Sequence, residues 1–486
     1  MRIDCVFSVI ASLLFVLGCN CIEKLSNATT ESNICKLISS SQSPIDVIED
    51  GRTLLFFATA SSSLSGVNYH INNNFQNQIK QLNLGLSMAI FDNIDANTSK
   101  IQIDIKNNDI CNAQSVYAVN YYNIKSKIIY CDPKKGSLGG SGTRNEPFPA
   151  LSTLLQSGYH PSPNEVIFLL DGNHGDVFLS GEDFSVCSAS NASPILNSIQ
   201  FINANNIALR SVEILSNKVN SDAIVWIDSL SSKIQISNCF IGSDVDIHEL
   251  ESLTWKKNVY TGIYCNGTAC TFRYNLIQDV FHGFQSNGDS TIFDCNIIDR
   301  FCGDAIRNTG DNSTYSNNFI TNALIDDYYD PLGNHDDMFQ AWTHDLPIKN
   351  ITISDNIAIS YTDTTITNLA KIVQGLVCFD GFAENWRIEN NIVLTDHPHG
   401  IALYGAKDCF INNNIVMRHP GRKHSFESDP WIMIHDHKDG RESKNTTLFQ
   451  NKASNFRFES KDIISTNNTL LDSLMQDKMY EYYGWK

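Results

Sequence analysis

The sequence predicts an all-β chain: a right-handed, single-stranded parallel β-helix preceded by a smaller β-leaning N-terminal unit. Three observations carry this. A six-residue segment recurs through the second half, as Ile236-Ser-Asn-Cys-Phe-Ile241, Phe272-Arg-Tyr-Asn-Leu-Ile277, Phe293-Asp-Cys-Asn-Ile-Ile298, Tyr315-Ser-Asn-Asn-Phe-Ile320, Ile353-Ser-Asp-Asn-Ile-Ala358, Ile388-Glu-Asn-Asn-Ile-Val393 and Ile411-Asn-Asn-Asn-Ile-Val416. Its fourth position forms one column of Cys239, Asn275, Asn296, Asn318, Asn356, Asn391 and Asn414, and a second column holds Ile263, Phe284, Ile306, Phe339, Leu376 and Ile401. The runs are short, β-branched or aromatic, and punctuated by Gly and Asn, which excludes helices of ordinary length. A coil of about 21–23 residues with two or three brief strands is the period of a stacked solenoid.

Asn suits the inside of each bend because its amide both donates and accepts, so stacked amides satisfy one another and the turn backbone. That column is therefore structural. From it to the next apolar column is 9–10 residues at Asn275 to Phe284, Asn296 to Ile306 and Asn391 to Ile401. The gap is far longer from Cys239 to Ile263, Asn318 to Phe339, Asn356 to Leu376 and Asn414 to Ile432. All the extra residues fall in one connection of the coil, so they leave from one edge, where a binding face is expected.

In chain order, residues 1–20 have a single Arg and then an apolar run from Val6 to Leu17, too short to span a bilayer, and read as a secretory signal. Val16-Leu-Gly-Cys19 also resembles a bacterial lipobox, with Cys19 as the lipidated residue, so both a secreted and a surface-anchored product stay open. Residues 21–127 carry β-leaning runs such as Thr53–Thr59, Ile101–Ile105 and Val116–Val119, and form a separate or loosely attached unit of unknown role. The solenoid is expected over 128–460. Asn145–Leu155 supplies a short helix to plug its open end, and Val166–Gly172 the first full strand. Residues 461–486 form a cap or tail, with an amphipathic closing helix within Leu470–Lys486.

The net charge of −18 excludes a generally basic nucleic-acid binder, and no later segment is apolar enough for a membrane span. Fourteen Cys and eight Asn-x-Ser/Thr sequons fit an oxidising, exported setting. Cys265 and Cys270, and Cys295 and Cys302, are near enough in sequence to bridge.

The opening Tyr130-Cys-Asp-Pro133, Gly142-Thr-Arg-Asn-Glu-Pro-Phe148, the Leu169-Leu-Asp-Gly172 strand and the Asn-laddered coils resemble the pectate-lyase-like right-handed β-helix superfamily over about 128–460. That superfamily includes uronate-polysaccharide lyases, C5-epimerases, polygalacturonase-type hydrolases and non-catalytic surface proteins, so the resemblance implies the fold and leaves the chemistry open.

Strand parity places the candidate site. Two residues before each inward apolar position come His282, Asp304, Asp337, Gln374 and His399; one residue after it, facing out, come Arg307 and Gln340; three after, also outward, come Trp342, Phe379 and Tyr404. Asp304 and Asp337 thus stand on successive coils beside Arg307, with the acidic insertion Asp326–Asp330 and His335-Asp336 nearby. β-Elimination and C5-epimerisation of a uronate both need the carboxylate neutralised and a proton moved at C5. Arg307 suits the first role, and His335, His399, Tyr328 or Tyr329 the second. Gln340, Trp342, Phe379, Tyr404 and Tyr328 would hold substrate, and Asp326, Asp330 and Asp337 a Ca²⁺. His335-Asp-Asp337 resembles the Asp-Pro-His-Glu segment of alginate epimerases but lacks the Pro and Glu. The resemblance also implies an alternative, inverting glycoside hydrolysis of polygalacturonase type, from Asp304, Asp336-Asp337 and His399-Gly400. A glycan-binding or adhesive surface protein is the reading without catalysis.

Overall fold

The computed structural model of the chain describes residues 44–58, 68–71, 76–83, 86–92, 94, 97–107, 111–122, 127–216, 223–245, 259–324, 336–363, 373–421 and 429–483. Each coil contributes one strand to each of three all-parallel sheets of twelve, thirteen and twelve strands. In one turn the chain passes Phe284–Ser286 in the first sheet, Ile292–Asp294 in the second and Ile297–Phe301 in the third, then re-enters the first at Ile306–Asn308. The predicted apolar column lies on consecutive rungs of the first sheet, with Ile263, Phe284, Ile306, Phe339, Leu376, Ile401 and Ile432 in register. All seven are at most 2% exposed and fill the lumen. The fold is a right-handed parallel β-helix, the hand that parallel crossovers take.

The corner between the second and third sheets explains the Asn-Asn pairs. Its first residue is in the left-handed region, at φ +58° for Asn238, +54° for Asn317, +59° for Asn390 and +51° for Asn413, a conformation Asn adopts more readily than most side chains. The next residue turns its amide into the core. Asn318 donates from its main chain and its side chain to Asn356 Oδ1, both at 2.9 Å, and also to the Phe293 carbonyl at 2.9 Å. The same pattern runs from Asn275 through Asn451 to Asn468. A second ladder runs outside, with Asn385 donating to Asn350 and Asn350 to Asn312 at 2.6 and 2.7 Å. The sequon residue Asn350 therefore uses both ends of its amide in a structural column, and the sequon residue Asn312 accepts in the same column through its Oδ1.

Residues 217–222, 246–258, 325–335, 364–372 and 422–428 all lie between a third-sheet strand and the next first-sheet strand, the single edge predicted from spacing. The N-terminal end is plugged by the short helix Leu151–Gln156, whose Leu151 and Leu154 join the lumenal core. His174, wholly buried, holds that plug: its Nδ1 accepts the Leu151 N–H at 3.2 Å and its Nε2 donates to the Leu170 carbonyl at 2.9 Å. Burial lowers its pKa. The first strand, Ile128–Cys131, precedes the one expected at Val166, and pairs with it.

Three expectations are corrected. The helix Ser473–Tyr483 does not close the C-terminal end. Leu471 and Tyr480 instead pack on the apolar outer stripe of the third sheet with Leu394 and Met417, and Tyr480 donates to the Arg418 carbonyl at 2.7 Å. The N-terminal unit is not loosely attached. It forms a three-stranded and a four-stranded sheet, and its Leu54, Phe56, Leu86 and Met88 continue that same outer stripe with Leu276, Ile297 and Phe319. Asp92, paired to Arg52 at 3.1 Å, also accepts the Asn191 N–H at 2.8 Å. Lastly, the nine cysteines from Cys131 to Cys409 form no disulfide. Cys265 and Cys270 both face the lumen and share a hydrogen bond, which together with burial pushes the Cys265 thiol up. Cys295 and Cys302 belong to different clusters, one under the N-terminal unit and one at the insertion edge.

Removing one inner amide should cost more than removing an outer one. Asn318→Ala is expected to lower stability by about 2–4 kcal/mol, because it strands buried groups on both adjoining rungs, whereas Asn350→Ala, whose lost bonds are exposed but whose new side chain sits at φ +58°, should cost about 1 kcal/mol. Urea midpoints of the two variants test this.

Candidate functional site

The lip of the first sheet brings His282, Asp304, Asp337, Gln374 and His399 onto successive rungs. Asp304 and Asp337 meet as predicted: the Asp337 N–H donates to Asp304 Oδ1 at 2.8 Å. Both side chains are sealed, at 0% exposure, and Asp336 beside them is also buried. What reaches the surface is Arg307, whose side chain is 23% exposed. It stands one residue past the inward Ile306, next to Gln340 on the following rung. Its Nε lies 2.9 Å from Asp304 Oδ2, but without hydrogen-bond geometry, and its guanidinium lies 4.4 Å from the Trp342 ring centre.

His282 completes the cluster. Its Nδ1 accepts the Asp304 N–H at 2.8 Å, so a ring proton sits on Nε2. That Nε2 faces Arg307 Nη1 at 3.0 Å. A guanidinium only donates, so two donors confront each other at the outer edge of the site. Neither oxygen of Asp337 has a hydrogen bond of good geometry. Burial first, then the charges of Asp304 and Asp336, push its pKa well up, against weaker opposing pulls from Gln340 and Arg307. Asp337 therefore holds its proton far above the usual carboxylate range.

Other predicted residues are not brought to this point. His399 lies three rungs from Arg307, roughly 14 Å at the spacing of parallel strands. Its Nδ1 donates to Gln374 Oε1 at 2.9 Å, which puts the lone pair on Nε2. The expected row of Trp342, Phe379 and Tyr404 is broken by a bulge between Ala341 and Trp342, so that Trp342 pairs with Asp380 and turns back over Arg307. Phe379 and Tyr404 contact each other edge-on at 5.0 Å and cluster with Trp431 and Met433 over the outward but buried Val377 and Ala402. The two rings thus lean on each other over protein in place of the regular row expected, and both stay partly exposed. His335, Tyr328, Tyr329, Asp326 and Asp330 lie outside the described residues. Of the proposed Ca²⁺ set, only Asp337 lies among the described residues, and its carboxyl is sealed from solvent.

Parity reasoning placed His282 in the right column but left it unassigned. Its role depends on side-chain direction, which sequence spacing does not specify. A second polar cluster was also missed. Left-handed Asp279, Arg300 and Asn322 interrupt the third-sheet strands, letting Arg300 grip Asp279 at 2.6 and 2.7 Å and Asp299 at 3.0 Å beside the roots of the insertions. Its contacts are well satisfied, and it reads as a brace.

No protein-family profile and no curated protein matches the chain. Solved structures do match in fold. The pectate lyase Pel9A is 13% identical, with 71% of this chain and 79% of that one covered at a TM-score of 0.37. The A-module of the mannuronan C-5 epimerase AlgE4 from Azotobacter vinelandii is 10% identical, covering 71% and 97% at 0.36. The catalytic unit of a GH87 α-1,3-glucanase from Streptomyces thermodiastaticus is 9% identical, covering 87% and 86% at 0.39. Among the described residues no helix is long and apolar enough to cross a membrane.

A carboxyl whose folded pKa lies above its unfolded value, near 3.8, stabilises the fold fully only below that value, and the contribution is lost as pH rises toward the folded pKa. Wild-type stability should therefore fall from about pH 4 upward relative to Asp337→Asn, which carries no such proton. Denaturant midpoints of the two proteins across pH 4–8 check the sign.

Proposed function

We propose that the chain is an exported, polysaccharide-active protein that takes uronate-containing chains and holds a sugar carboxylate between Arg307 and His282. The observation that carries this reading is the pair of donors facing each other at 3.0 Å. An anionic oxygen arriving there would accept from both, and would give the poorly partnered guanidinium the acceptor that Asp304 supplies only in part. A protonated Asp337 supports it as well, because it removes one negative charge from beneath the incoming carboxylate.

Neutralising that carboxylate is the requirement β-elimination and C5-epimerisation share, so lyase or epimerase chemistry is the preferred reading. Arg307 would touch substrate; Asp304 and His282 would act by positioning it, and Asp337 by holding charge down behind it. Proton transfer at C5 falls to His335 or Tyr328 in this reading. Inverting hydrolysis has less support, since its two carboxyl groups stand about 6.5–9.5 Å apart with a water between, whereas Asp304 and Asp337 are joined through a main-chain bond and sealed. That sealing favours one second reading, a uronate-binding surface without turnover. A Ca²⁺ requirement rests on Asp326 and Asp330 and is carried as an arm of the test.

Binding and turnover on polygalacturonate and alginate, with dextran as the neutral control and with or without Ca²⁺, separate these readings. The acidic polymers should bind in preference to dextran, and Arg307→Gln should weaken that binding about 10–100-fold. A lyase produces ultraviolet absorbance from unsaturated uronate, an epimerase alters the uronate composition by NMR, and a binder does neither. Equal affinity for dextran and polygalacturonate, or indifference to Arg307→Gln, rejects the proposal.

A further inference from the structure

At the plugged end of the solenoid, a cavity of about 230 Å³ lies where the N-terminal unit meets the outer face of the second sheet. It is three rungs and one sheet removed from Arg307. Its cationic wall is Arg210, whose side chain is only 11% exposed. Tyr122 of the N-terminal unit covers the guanidinium, with the ring centre 5.5 Å away. That guanidinium is poorly served. Nε is buried without a hydrogen bond, and Nη1 and Nη2 reach Ser185 Oγ and Gln235 Oε1 at 3.4 Å each, beyond the usual length for such bonds. The nearest carboxylate, Asp46, is 3.9 Å off, and the Cys187 thiol beside it is a weak acceptor.

The rest of the lining decides what would serve it. Glu165 is spoken for by Lys127 at 3.2 Å, by the Tyr159 hydroxyl and by the Ser162 N–H. Asp183 stands half-buried on the rim and accepts from Asn206 at 2.6 Å, with further acceptor capacity on its carboxylate. With Glu165 offset by Lys127, and Arg210 and Asp183 on opposite sides of the lining's balance, the cavity carries no net charge to favour either a bare anion or a bare cation. An uncharged molecule bearing several hydroxyls suits that balance, giving oxygens to Arg210 and hydroxyl protons to Asp183 and Gln235. At about 30 Å³ per water, the space holds some seven or eight waters or one sugar ring.

We propose that this seam is a binding site for a neutral sugar unit, separate from the Arg307 site and lost when the N-terminal unit is moved. It does not rest on the uronate reading. Titration calorimetry of the full chain with D-glucose, D-galactose and D-xylose, against D-galacturonate and D-glucosamine as charged comparators, tests it. A neutral sugar should bind in the millimolar range, Arg210→Met should weaken it at least about tenfold, and Asp183→Asn a few-fold, while Arg307→Gln leaves it unchanged. If circular dichroism shows Arg210→Met to be misfolded, Asp183→Asn and Gln235→Leu carry the comparison. The proposal is overturned if no neutral sugar binds by about 100 mM, if galacturonate binds tighter than every neutral sugar in the Arg307→Gln protein, where the uronate site is removed, or if binding of the neutral sugar is lost in Arg307→Gln and kept in the cavity variants.

Discussion

The buried column of Asn amides is the constraint on which the remaining architecture depends. Each amide fixes the corner between the second and third sheets at the same height in every turn, by bonding to the rung before and the rung after. A slip of one residue along any strand would carry its lumenal side chains to solvent, and the ladder penalises that slip at every turn. With this corner pinned, length can vary only where the amides do not act. That is why the extra residues collect between the third and first sheets, and why the polar lip of the first sheet lies beside them.

Much of this was legible in the residues. The two columns, their register, the insertion edge and the helical plug all follow from a period, and a period survives without coordinates. The meeting of Asp304 with Asp337 followed from counting rungs. What was not legible depends on local departures from the period. The bulge after Ala341 displaced Trp342 from its expected row. Left-handed residues inside the third-sheet strands turned Arg300 outward, where alternation predicts otherwise. The terminal helix chose the apolar stripe of Leu394 and Met417 over the open end, a choice between two exposed apolar surfaces that composition alone does not rank.

Burial changed the meaning of the site more than its membership. Two acids at the surface would form a catalytic pair; two acids under a guanidinium form a base for it. The group left to meet a ligand is positive, in a chain of net charge −18, so the local field at Arg307 and the field of the whole molecule have opposite sense. An acidic polymer would meet repulsion at a distance and attraction only on contact, which makes encounter slower at low salt and faster as salt screens the far field.

The stopper at the N-terminal end carries its own consequence. His174 serves the Leu151 amide only through an unprotonated Nδ1, and its wholly buried ring resists charging. Below about pH 6.5 the unfolded chain takes up that proton more readily than the folded one. Acid therefore weakens the hold on this terminus, and a β-helix that yields from one mouth would lose its rungs in sequence, like a zip, instead of collapsing as a block.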